Sequence, residues 1–142
     1  MERQRRRLPM LGIFMYIRFA VNKNDEDSGR RIGLFHIAKD LCESGIANAY
    51  EEEQLLSIRD WFSEHLEKPK SFTTSRKPHA TNVAISWFKD SAKEHISKMY
   101  ESALRLEAHG IFVEVIKTSR PGYIVYEDEH QVTAEPYAET ET

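Results

Sequence analysis

The sequence has little of several features that usually identify a function. It contains one cysteine, Cys42, which excludes an internal disulfide framework and a cysteine-rich zinc site. None of its six histidines is paired at i+3 or i+4, so local spacing predicts no metal site. The patterns GxGxxG, GxxxxGK[ST], HExxH, GxSxG and the EF-hand loop are all absent. The first apolar run, over residues 11–21, is too short to cross a bilayer and is broken by Arg18.

Composition and charge fit one ordinary globular domain. The chain has 142 residues, 40% of them hydrophobic, and its 20 Lys and Arg against 23 Asp and Glu give a net charge of −3. A strongly basic nucleic-acid binder is therefore not the default expectation. We expect a basic leader over 1–9, one domain over 10–137 and a solvated acidic tail over 138–142. The absence of a secretory signal, the single thiol and the absence of a membrane span favour the cytoplasm.

Hydrophobic periodicity predicts an α+β fold. Alternation over 12–21 is typical of a strand, and residues spaced 3 and 4 apart predict helices. Asn48 with Glu51 forms a capping-box pattern, and Gly45 and Gly110 suit helix ends. The order is β-α-α-α-β-β(-β), a small, mainly antiparallel sheet with helices packed on one face. The predicted helices are 30–43, 49–66 and 82–109, the long loop is 67–81, and the later strands are 111–117, 123–127 and 130–134.

The C-terminal hairpin, residues 117–132, holds the candidate catalytic groups. Pro121-Gly122 is typical of a tight turn between strands 111–117 and 123–127. Glu127, Asp128 and His130 follow, and carboxylates beside a histidine can support metal-assisted phosphoester hydrolysis. The alternative is a hairpin with a solvated acidic turn, and no side chain is assigned as a metal ligand.

Aromatic and basic residues supply the candidate binding surface. Tyr16 and Arg18 project from the first strand, on the sheet face away from the predicted core. If the helices cover only the opposite face, the face with Tyr16 and Arg18 is exposed. Exposed aromatic and arginine side chains are typical of protein interfaces and of surfaces that stack on bases. The alternative is that part of the third helix or the long loop covers it, and that tryptophans near the helices simply close the core. The other candidate binding residues are Trp87, Lys89, Arg120, Tyr123 and Tyr126.

Two segments carry a resemblance to a known family. The stretches ISWFKDSAKEHI (85–96) and RPGYIVYEDEHQVTAEP (120–136) resemble a family of small uncharacterised bacterial proteins, and the similarity extends over residues 12–137. The resemblance implies a bacterial source and supplies no activity, cofactor or partner.

Three classes of function remain open from the sequence. The first is a binding or regulatory module that recognises a protein partner, or a second copy of itself, through the aromatic and Arg sheet face and the C-terminal hairpin. The second is a binder of single-stranded RNA or DNA, with Arg18, the basic loop 68–77, Lys117 and Arg120 on phosphates. Tyr16, Tyr123 or Tyr126 would stack on bases. The third is a small metal-assisted enzyme acting on a phosphoester or nucleotide. The missing catalytic motifs favour a non-enzymatic role without a cofactor.

Overall fold

A computed structural model describes residues 14–24, 31–69 and 84–142 of the chain. Within these ranges it contains six strands and three helices. They are β1 (Tyr16–Asn24), β2 (Arg31–Gly33), α1 (Leu34–Glu43), α2 (Ala49–His65), β3 (Ile85–Lys89), α3 (Lys93–Glu107), β4 (Val113–Thr118), β5 (Tyr123–Glu127) and β6 (Gln131–Glu135). The predicted α+β class is confirmed. The leader 1–9 and most of the loop 67–81 lie outside the described residues.

The sheet is antiparallel and is organised around β1. One edge of β1 pairs with the whole of β4, from Tyr16 opposite Thr118 to Val21 opposite Val113. The other edge is shared, because β3 pairs with its first two residues and β2 with its later part. The sheet then continues through β6 to β5. β4 and β5 therefore stand at opposite edges.

The three helices pack on one face of this sheet, as predicted. Alternate residues of β1, Ile17, Phe19 and Val21, share a buried cluster with residues from all three helices. Leu55, Ile58 and Phe62, the predicted stripe of the second helix, are among them. The capping box of α2 is also present, since the Asn48 side chain accepts from the Glu51 amide at 2.9 Å and Glu51 accepts from the Asn48 amide at 2.9 Å.

Two predicted helices are wrong at their starts. The helix expected over 30–43 begins at Leu34, and the residues before it form β2. The helix expected over 82–109 is interrupted, because residues 85–89 form β3 and α3 begins at Lys93. The reason is tertiary: β3 pairs with β1 and β6, and this pairing outweighs a helical spacing in a segment of β-branched and aromatic residues.

The predicted pairing of strands 111–117 and 123–127 is also wrong. β4 pairs with β1, and β5 instead forms a hairpin with β6. Residues 119–122 are thus a link between the two edges of the sheet. The five Cα steps from Thr118 to Tyr123 reach at most about 18 Å, whereas four strand spacings in a flat sheet take about 19 Å. The sheet must therefore curl.

Curling closes the face that lacks helices. Tyr16, Ala20, Ile85, Trp87, Ile116 and Val132 form a second buried cluster on this concave side. Trp87 is 1% exposed and Val132 is fully buried. The sequence left open whether this sheet face is exposed or covered, and at Tyr16 and Trp87 it is covered. This core gives the molecule apolar packing on both sides of one sheet.

Candidate functional site

The candidate catalytic residues surround the β5–β6 turn, and most of their polar atoms are already engaged. Asp128 accepts hydrogen bonds from the His130 amide at 2.9 Å, the Gln131 amide at 3.1 Å, the Gln131 side chain at 2.9 Å and the Tyr126 hydroxyl at 2.9 Å. Burial acts to raise the pKa of Asp128, but these donors together outweigh it and leave the pKa below its usual value. Asp128 thus organises the turn.

Glu127 and Lys89 form an ion pair that joins β5 to β3. The Glu127 Oε2 to Lys89 Nζ distance is 2.6 Å. Tyr16 lies nearby on β1, and burial together with the charge of Glu127 raises the pKa of its hydroxyl. Two predicted residues, one from the catalytic set and one from the binding set, therefore neutralise each other at the edge of the concave side.

His130 lies against a cleft between the helices and the sheet. The cleft has a volume of about 1160 Å³, and Phe35, Phe62 and Asp128 also line it. The His130 ring packs on His95 with 4.3 Å between centroids, and His95 Nε2 lies 2.8 Å from the His65 carbonyl oxygen. Across residues 14–24, 31–69 and 84–142, no three histidine, cysteine or acidic side chains converge to hold a metal ion. The three predicted catalytic residues contact different side chains: Glu127 contacts Lys89, Asp128 contacts Tyr126 and Gln131, and His130 contacts His95.

The remaining binding candidates divide between the interior and one exposed end of the sheet. Trp87 is in the concave core, and its indole N–H finds no hydrogen-bond partner in the part of the chain that the structure describes. The Tyr126 hydroxyl is bound to Asp128, and this bond raises its pKa. Arg120 and Tyr123, in contrast, are exposed, Tyr123 to 59%.

Arg120 and Tyr123 meet the C-terminal tail, residues 136–142. The Tyr137 ring packs edge-on against Tyr123 with 4.8 Å between centroids, and the Arg120 guanidinium lies over Tyr137 at 5.0 Å from its centroid. We call Arg120, Tyr123 and Tyr137 the aromatic cluster. Tyr137 was not among the predicted site residues. The signal for it was an aromatic residue directly after Pro136 in an otherwise acidic stretch.

The backbone around the cluster fixes its geometry. Gly122 has a φ of +133°, as a glycine turn predicts. A Cβ built on Gly122 lies 2.8 Å from the Pro136 Cα and 2.6 Å from the Glu135 carbonyl carbon, and closer still to its oxygen. The glycine therefore lets the 119–122 link touch the start of the tail, which brings Tyr123 beside Tyr137.

Hydrogen bonds hold the tail along its length. The Thr140 hydroxyl accepts from the Tyr137 amide at 3.1 Å and donates to the Arg120 carbonyl at 3.4 Å. Arg18 Nε donates to the Thr142 carbonyl oxygen at 2.9 Å. Two of the predicted binding residues, Arg18 and Arg120, thus contact the tail that was expected to be solvated.

No family model, curated protein or solved structure matches this chain. The class of the protein is that of its fold: an α+β domain with a curled antiparallel sheet and helices on one side. Within the described residues no helix is long and apolar enough to span a membrane.

Proposed function

We propose that this protein is a binding module that recognises a protein partner through Arg120 and Tyr123, the two residues of the aromatic cluster that precede the tail. One observation carries the proposal. Arg120 and Tyr123, exposed on the surface, already hold an aromatic side chain, Tyr137 of the tail. Tyrosine and arginine are the residue types that supply most of the binding energy at protein interfaces.

Pre-organisation supports the same assignment. The close approach of Gly122 to Glu135 limits the freedom of the link that carries Arg120, and β5 holds Tyr123, before any partner arrives. A surface that is already ordered loses less conformational entropy on binding. The saturation of Asp128 favours this proposal over acid–base catalysis at the β5–β6 turn.

A capture experiment with a matched control tests the proposal. The bait is the full-length chain, and the variants are Arg120→Ala and Tyr123→Ala. The control is Tyr50→Ala, because Tyr50 is 61% exposed and also lies beside an arginine, Arg105, at 5.9 Å from its ring centroid. Retained proteins are identified by mass spectrometry, and sedimentation of the purified chain reports self-association.

The expected result is a partner, or a dimer, that wild type and Tyr50→Ala retain equally. Loss of an interface hot spot should weaken it by at least about tenfold in Tyr123→Ala. A chain that is monomeric and retains no partner overturns the proposal. So does a partner that all variants retain equally.

A further inference from the structure

We infer that the ligand of this surface is an acidic, tyrosine-bearing chain segment of a partner protein, and that the tail occupies the surface until such a segment displaces it. This inference rests on the proposed function and names the chemistry of its ligand. Its evidence is the way in which Arg18, Arg120 and Tyr123 hold residues 136–142.

The contacts of Arg120 with the tail involve three different chemical groups of one short segment. The Arg120 guanidinium lies over the Tyr137 ring. Its Nη2 is 3.6 Å from Oε1 of Glu139, so the same group also pairs with a carboxylate. The Arg120 carbonyl accepts from the Thr140 hydroxyl. An aromatic ring, a carboxylate and a hydroxyl within four residues are thus all recognised around one arginine.

The charge of the segment agrees with that of the surface. Residues 136–142 contain two acidic side chains, Glu139 and Glu141, and no Lys or Arg. The two arginines that contact the tail, Arg18 and Arg120, come from β1 and from the 119–122 link. An acidic segment is therefore the ligand that these cations favour, and a basic segment is disfavoured.

The tail is held in a way that permits exchange. Both side chains of the Arg120–Glu139 ion pair are 70% exposed, and ion pairs of this kind are weak in water. The tail gains instead from being attached, since a short tether provides an effective concentration of about millimolar. A segment in trans must therefore outcompete a weak but tethered occupant.

A titration with the tail peptide tests the inference. The probe is the fluorescein-labelled peptide PYAETET, residues 136–142, added to the full-length chain and followed by fluorescence anisotropy. Tyr137→Ala weakens the attached tail, so it should bind the peptide at least about fivefold more tightly than wild type. Glu139→Gln, which removes only the ion pair, should shift binding in the same direction and guards against misfolding of Tyr137→Ala.

Controls separate specific recognition from charge alone. Adding Arg120→Ala to Tyr137→Ala should abolish binding, and Tyr50→Ala should bind as wild type does. The peptide PAAETET should bind at least about fivefold more weakly, and PYAQTQT should bind more weakly by a smaller factor. Equal binding to wild type and both tail variants overturns the inference, as does undiminished binding of PYAQTQT. A Tyr123-dependent partner without peptide binding would leave the proposed function standing and reject only this ligand.

Discussion

Substitution of Gly122 by alanine tests the packing that brings the link and the tail together. Gly122 has a φ of +133°, a conformation that L side chains rarely adopt. Its missing Cβ also faces backbone rather than a flexible side chain, at 2.8 Å from the Pro136 Cα. Neither the link nor the tail can relieve this contact by changing a rotamer.

The cost follows from these two terms. An alanine in this backbone conformation costs about 1–3 kcal/mol, and forcing an extra methyl into packed structure costs about 1–3 kcal/mol more. We therefore expect Gly122→Ala to lower the free energy of unfolding by roughly 4 kcal/mol. For a chain of this length the Tm should fall by roughly 10 °C.

Urea and thermal unfolding, followed by circular dichroism, measure this loss. Gly45→Ala is the matched control, because Gly45 has a φ of +76° but nothing lies within 4 Å of its added Cβ. It retains the conformational cost without the clash. If Gly122→Ala proves no more destabilising than Gly45→Ala, the close approach of the link to the tail is refuted.

Two further predictions concern Asp128 and Trp87. Because the pKa of Asp128 is lowered in the folded state, its contribution is present above the unfolded value of about 3.9 and is lost as pH falls through the lower folded value. Asp128→Asn should thus lower the free energy of unfolding by about 1–3 kcal/mol at pH 7. It should also flatten the fall of that free energy below about pH 4, and an unchanged fall in acid would contradict this. Trp87→Ala should cost about 3–5 kcal/mol in urea unfolding. Trp87→Phe should cost much less, since it also removes an N–H that has no partner among the described residues; equal losses would count against that packing.

Local signals in the sequence were sufficient for most elements but not for their pairing. The capping box at Asn48 and the stripe of α2 depend on neighbours along the chain, and both are present. β3 was predicted as helix because Ile85 and Phe88 also fit a helical spacing, and only its pairing with β1 and β6 decides otherwise. The separation of β4 from β5 likewise depends on contacts distant in sequence.

The candidate site shows the same division. Arg120 and Tyr123 were recognisable as an arginine and an aromatic residue beside a turn, but their contact with Tyr137 depends on the tail folding back. Charge alone suggested that the tail is solvated, because acidic residues rarely pack without partners. Arg120 pairs with Glu139 and Arg18 with the Thr142 backbone, and neither arginine is near the tail in sequence.

The most direct test of the proposed binding surface is to map where an acidic, tyrosine-bearing peptide binds. Backbone amide signals of the ¹⁵N-labelled Tyr137→Ala chain are recorded by NMR during titration with PYAETET. We expect the signals that move to cluster at Arg120, Tyr123 and Thr140. Movement confined to the cleft around His95 and His130, or no movement at millimolar peptide, would contradict it.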